Sequence, residues 1–400
     1  MTACSSSSSS ASGTKTTSTT SSASSLLGPS KPATGTPVKI GFVSDGKSQA
    51  VDNSSEIPAA KATATYVNEH LGGLGGHPIE IDGCETALTP AGATDCANQM
   101  ITDKVAAVLV NQSGEASSIY TGVSAGGIPF VAHEVADQNV LTGKNSYVLT
   151  NALADFVGPA KVAQDGGAKR AAVIVINVPG TVGPLNSIGK IFYKNAGVAL
   201  DIVAVPPGTP DMTSQVQAEL SKGPDQIQVI GDESFCTSAL KAMKTLGFSK
   251  TVVVISQCIT ATSAQSIPGG YAGMKVVTVT SSDPADADLQ LFHAVMSTYS
   301  SGTEISFATP GAYATVLGFA RATSALTGDV TPASVEAAMA AMSPQRQPLG
   351  AGSTFQCNGK QITYTPPVCS TAVLVATLDS SGQPTGGFTA LDVSSLLKLT

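Results

Sequence analysis

From Pro37 onward, short and wholly apolar runs alternate with amphipathic stretches, and the alternation predicts an α/β fold. "PVKIGFVS" (37–44) reads as a strand and "IPAAKATATYVNEH" (57–70) as the helix after it. "HPIEID" (77–82), a helix around 91–103, "VAAVLV" (105–110), a helix from about 114 and "IPFVA" (128–132) continue the series. Apolar strands joined by helices indicate parallel sheets covered on both faces. A second series begins near residue 155. Its strands are "RAAVIVIN" (170–177), "LDIVAVP" (200–206), "QIQVIG" (226–231) and "TVVVIS" (251–256), with helices over 155–165, 183–196, 211–222 and 234–246. Each βα unit spans roughly 25–30 residues, as right-handed crossovers require. Two such series predict two lobes. Helical segments near 285–299 and 306–326 follow, then a Gly/Pro-rich stretch with a strand at "STAVLVATLD" (370–379).

The first 36 residues have a different character. "MTACSSSSSSASGTKTTSTTSSASS" holds almost nothing apolar, so residues 1–36 read as a disordered Ser/Thr-rich tether. The remainder can build a large core, since 42% of the chain is hydrophobic and only 12% charged, against a typical charged fraction of about 25%. A net charge of −7 with no basic run argues against nucleic acid as a partner. No unbroken apolar stretch is long enough to span a bilayer.

Cys4 lies in the tether, and the other six cysteines fall into local pairs: Cys84 with Cys96, Cys236 with Cys258, and Cys357 with Cys369. None has CxxC spacing and no histidine lies nearby, so zinc fits poorly. Three disulfides of an exported protein fit better than free thiols.

Catalytic motifs fail on context. "GVSAG" (122–126) has the Gly-x-Ser-x-Gly form, yet Ser124 ends a helix and precedes a strand, the reverse of a nucleophile elbow. Gly126 and Gly127 read instead as a helix C-cap. His70, His77, His133 and His293 are too scattered for a metal site. "GGLGG" (72–76) follows a helix and precedes a strand, so it is a turn and not a dinucleotide fingerprint. No phosphate-binding loop is present. The expectation is a protein that is not an enzyme and that needs no cofactor or metal.

The segment "GLGGHPIEIDGCETALTPAGATDCANQMITDKVAAVLVNQSGEASS" is where a family resemblance becomes specific. It resembles the type I periplasmic binding proteins, in particular the leucine/isoleucine/valine-binding branch. Asn68, Gly72, Gly73, Leu74 and Gly76 follow the family's turn, Asp103 to Ser113 its strand and loop, and "GIPFVA" (127–132) its next strand. "SYVLTNALADFVGPAKVA" resembles the first crossover and "GGYAGMKVVTV" (269–279) the return strand. The resemblance implies two Rossmann-like lobes joined by a three-strand hinge, with ligand in the cleft between them. It assigns residues 37–152 and 282–366 to lobe 1, and 153–281 and 367–400 to lobe 2.

Carried over by position, the resemblance places ligand contacts at Ser113 and Gly114, and at Glu134 and Ala136 in "HEVAD". Ser113 reads equally well as the N-cap of the helix after it. The family's cleft aromatics fall near Asp52 and Val182 and are missing here. The acid expected to hold a ligand ammonium falls near Gln257, which is neutral, leaving Asp232 or Glu233 to take that part. Both could instead serve the dipole of a helix start. Phe307 and Tyr313 are candidates to close the pocket or to fill the core. The ligand expected is a small polar or amphipathic molecule, an amino acid or a related compound.

The implied role is the solute-binding subunit of an ABC importer, monomeric and partnered by permease subunits. The alternative is a ligand-sensing receptor domain acting with a separate signalling chain. "TAC" before the tether resembles the end of a lipobox, which makes Cys4 the expected lipidation site of a cell-surface lipoprotein whose signal segment is missing. A lipid-bearing cysteine would be the only attachment to the membrane.

Overall fold

The structure is a computed structural model, and it describes residues 23–48 and 51–399. Cys4 lies outside the described residues. Two sheets organise the chain. The first holds β1 (Val38–Ser44), β2 (Ile79–Glu85), β3 (Val108–Val110), β4 (Phe130–Ala132) and β5 (Ser146–Val148) in the order β2-β1-β3-β4-β5, all parallel. The second holds β6 (Arg170–Ile176), β7 (Ala199–Val205), β8 (Gln226–Ile230), β9 (Thr251–Ile255) and β10 (Lys275–Thr278). A small ribbon of β11 (Gln345–Arg346) and β12 (Thr354–Phe355) precedes β13 (Val373–Leu378) and β14 (Pro384–Leu391), which join the second sheet as its antiparallel edge. Its order is β14-β13-β10-β9-β8-β6-β7.

Strand apolarity follows from burial on both faces: all of β3, β4 and β8 is buried. The chain passes between the sheets three times, at 149–153, 279–286 and 369–372. A bridge between Val148 and Val368, and a bond from Cys369 N to Val148 O (2.8 Å), tie two of these passages together. The helices Ala287–Tyr299, Thr309–Ala322 and Pro332–Ala341 return to the first sheet, where Phe292, Tyr313 and Phe319 fill its core beside Phe42.

Several elements differ from those read off the sequence. The tether expected over residues 1–36 does not extend through 23–36. Ala23–Leu27 is a short helix with Leu27 buried against the first core. Beyond it, Lys31 N donates to Glu69 O (2.8 Å) and Ala33 N to Asn68 O (2.7 Å). Those carbonyls are free because the helix Glu56–Tyr66 runs into a wider π turn, Val67–Leu71, before Gly72 ends it at φ 83°. The helix Pro332–Ala341 occupies part of the stretch read as Gly/Pro-rich; Thr331 and Ser334 form its capping box.

All three cysteine pairs are disulfide-bonded. Each closes a loop of 12 or 22 residues, worth about 3 kcal/mol on a chain-entropy account. Cys236–Cys258 has a local consequence as well. It ties the 3₁₀ turn Ser256–Cys258 at the end of β9 to the helix Glu233–Thr245, and Tyr271 Oη donates to Cys258 O on the other side. The turn that carries Gln257 is therefore held from both directions. No helix among the described residues is long and apolar enough to cross a membrane.

Candidate ligand-binding cleft

In parallel α/β sheets the loops after the carboxyl ends of strands are free to build a site. Here those ends meet across the three crossings and enclose a cavity of about 280 Å³. Asn111 and Gln112 follow β3, His133 and Glu134 follow β4, and Ser256 and Gln257 follow β9. Thr278 ends β10, Thr280, Ser281 and Ser282 come from the second crossing, and Asp155 from the first turn of the helix Ala154–Asp165. Apolar walls are supplied by Ile259, Val276, Leu289, Phe307, Leu378 and Phe388.

Two carboxyls dominate the electrostatics. Glu134 stands after a strand of the first sheet, and Asp155 on a helix packed against β10 and β13 of the second. Burial is the main reason that Glu134 is held above the usual carboxylate range; the nearby charge of Asp155 adds to it, while the hydrogen bond from Gln112 Nε2 (2.8 Å) works against it. Burial likewise raises Asp155. Two acids sharing a poorly solvated space resist simultaneous ionisation. No Lys or Arg is among the described residues lining the cavity. His133 does not compensate, because burial pushes it down to about 4 and leaves it neutral, with Nε2 3.2 Å from Thr280 Oγ1.

Beneath the cleft floor lies a third acid. Glu56 is fully buried and accepts from Ser44 Oγ (2.5 Å) and Asn111 Nδ2 (2.7 Å). Burial outweighs both bonds and pushes its carboxyl up to about 7. Asn111 also touches the helix Thr309–Ala322 closely: a Cβ on Gly311 would lie 2.1 Å from Asn111 Oδ1, so glycine is required there.

The residues named from the sequence are not all brought together. Glu134 and Gln257 line the cavity. Ser113 and Gly114 instead hold a carboxylate of the chain itself: Ser113 Oγ donates to Asp45 Oδ1 (2.6 Å) and Gly114 N to Asp45 Oδ2 (2.9 Å). Thr86 Oγ1 donates to Asp45 Oδ1 as well (2.8 Å). Ala136 is exposed on the loop beyond Glu134. Asp232 caps the helix Glu233–Thr245, accepting from Phe235 N (2.9 Å). Glu233 accepts from Thr260 Oγ1 (2.6 Å), and both acids border a separate surface depression. Tyr313 is a core residue in edge-to-face contact with Phe292, whereas Phe307 lines the cleft and is 56% exposed. Phe307 and Phe388 thus supply the aromatic surface that is missing near Asp52 and Val182.

Asp155 was not legible as a site residue, although it is the acid of "NALADF" at the first crossing. Asn111, Gln112 and His133 were also missed. Each stands within two residues of the end of a buried strand, which is the one signal that could have pointed to them.

Two lobes joined by three crossings around a shared cavity with both polar and apolar lining define a two-lobed ligand-binding protein. The chain belongs to the periplasmic binding protein family, whose model matches residues 37–382, and its architecture is that of the type I members. Solved structures agree in fold at low sequence identity. A fatty acid ABC transporter substrate-binding protein from Thermomonospora curvata is 15% identical with a TM-score of 0.71, covering 92% of this chain and 95% of that one. The branched-chain amino acid transporter substrate binding protein from Streptococcus pneumoniae, solved with isoleucine, is 15% identical with a TM-score of 0.66, covering 88% and 99%. A solute binding protein of an ABC transporter from Rhodopseudomonas palustris, solved with p-hydroxybenzoic acid, is 17% identical with a TM-score of 0.67, covering 89% and 98%. No curated protein matches the chain in sequence.

Proposed function

We propose that this chain is the extracytoplasmic solute-binding protein of an ABC importer, which captures a small amphipathic molecule between its lobes and passes it to permease subunits. Residues 37–152 with 282–366 form one lobe and 153–281 with 367–400 the other. The observation that carries the reading is the cavity walled by both sheets and by the crossings, so that one ligand touches both lobes at once. Its lining has amides, hydroxyls and apolar surface suited to holding a solute. Cys4 would carry lipid and residues 5–22 would tether the lobes near the transporter.

A ligand that contacts both lobes stabilises the closed arrangement, because only there are all its contacts made. Small-angle scattering of the full chain, with and without the tightest binder from a thermal-shift screen, should show a smaller radius of gyration with ligand. Unchanged dimensions with ligand bound would sink the closure model.

Phe307 offers a second check. It precedes the helix Thr309–Ala322 and leaves more than half its surface to solvent, so it contributes little to the core. Phe307→Ala should weaken solute binding roughly tenfold while the melting temperature of the unliganded protein moves by less than a degree or two. An equal loss of both would make Phe307 a packing residue.

A further inference from the structure

We propose, on the solute-capture reading above, that the cleft selects a small organic cation without a carboxylate, an amine whose charge sits between Glu134 of one lobe and Asp155 of the other. The charge inventory carries the first step. The cavity holds two carboxyls and a neutral His133, with no Lys or Arg among the described residues that line it. A carboxylate drawn into such a space would lose its hydration and find no opposite charge, whereas an ammonium or guanidinium finds two carboxyls whose ionised forms it stabilises. Two of the lining amides are engaged by acids of the chain itself, Asn111 with Glu56 and Gln112 with Glu134.

A second, independent observation closes one place beside the cleft where an anion could lie. The helix Ala116–Ala125 begins beside the cleft, and the groups at its start, Ser113 Oγ and Gly114 N, are occupied by the buried Asp45 carboxylate. A ligand carboxylate would have to displace a covalently attached one. Size and apolar walls then limit the body of the ligand: about 280 Å³ is near the lower end of small-molecule sites, roughly 300–1,000 Å³, with Phe307 and Phe388 among the lining residues. Because the two acids belong to different lobes, a cation between them favours the ionised form of each and attracts both, so its binding favours closure.

Calorimetry on the full chain tests this with matched compounds: isoamylamine, isoamyl alcohol, isovalerate and leucine, then phenethylamine against phenylalanine and agmatine against arginine. At least one amine should bind roughly a hundredfold tighter than its carboxylated or uncharged counterparts. Glu134→Gln and Asp155→Asn should each weaken that amine roughly ten- to a hundredfold. Failure of all three amines to bind overturns the assignment, as does equal or tighter binding of leucine or isovalerate, or variants that bind the amine as the unaltered protein does. Lobe closure by leucine or isovalerate in scattering would reject the amine and leave solute capture standing. A bound amine that leaves the lobes open would do the reverse.

Discussion

Asp45→Ala should destabilise the protein by about 3 kcal/mol, among the larger effects of a single substitution outside the hydrophobic core. The Asp45 side chain is buried and bonded to Thr86 Oγ1, Ser113 Oγ and Gly114 N, three donors from two different loops of the first lobe. Alanine leaves the backbone donor and two hydroxyls without their acceptor, and each buried orphan costs about 1–3 kcal/mol. It also removes a negative charge from the start of the helix Ala116–Ala125, where the aligned peptide dipoles favour one. Asp45→Asn keeps the shape but turns one acceptor into a donor, so about half the loss is expected. Urea unfolding should show the shift in midpoint at constant slope, the signature of altered stability without altered compactness. An Asp45→Ala midpoint within error of the unaltered protein would mean that water replaces the carboxylate there.

Asp45 also illustrates what the sequence left hidden. Ser113 is legible as a polar residue at a helix start after a strand, and both readings of it, ligand contact and cap, follow from local chemistry. Its actual partner lies 68 residues away, delivered by the end of β1 running parallel to β3, and no local pattern encodes that meeting. Glu134 and Gln257 were accessible to position-based reasoning because each stands two residues after a buried strand, and the carboxyl ends of parallel strands converge. Asp155 was not, since its place depends on where the first crossing lands on the second sheet.

The same division runs through the fold. "VAAVLV" and "IPFVA" are legible because a parallel strand buried on both faces must be apolar throughout. β14 reads "PTGGFTAL", half exposed and interrupted by two glycines, so neither alternation nor an apolar run marks it. The helix Pro332–Ala341 buries only Val335 and Met339, and its alanines blur the period. Residues 31–35 are held by backbone bonds to the 68–76 turn, and such bonds leave little trace in composition.

Glu56→Gln should raise stability by about 3 kcal/mol at pH 8 and change it little at pH 4.5. Burial holds the Glu56 carboxyl at about 7 in the fold, against its ordinary 4.5 in the unfolded chain. Between those values the native state binds a proton that the unfolded state has released, so stability falls as pH rises from about 4.5 to about 7 and is flat above. Glutamine matches the neutral acid: its carbonyl accepts from Asn111 Nδ2, and its amide donates to Ser44 Oγ, which accepts in place of donating. His133, pushed down to about 4 by burial, acts in the opposite sense, adding stability as pH rises from about 4 to 6.5. Glu134 and Asp155, both raised, act in the same sense as Glu56. The absolute pH profile is therefore a sum of opposing slopes, and the informative quantity is the difference between Glu56→Gln and the unaltered chain, in which the other groups cancel. Denaturant midpoints at half-unit steps from pH 4.5 to 8 should show that difference opening and then levelling near neutrality. Parallel curves would mean that Glu56 is already ionised at low pH, with the Ser44 and Asn111 bonds outweighing burial.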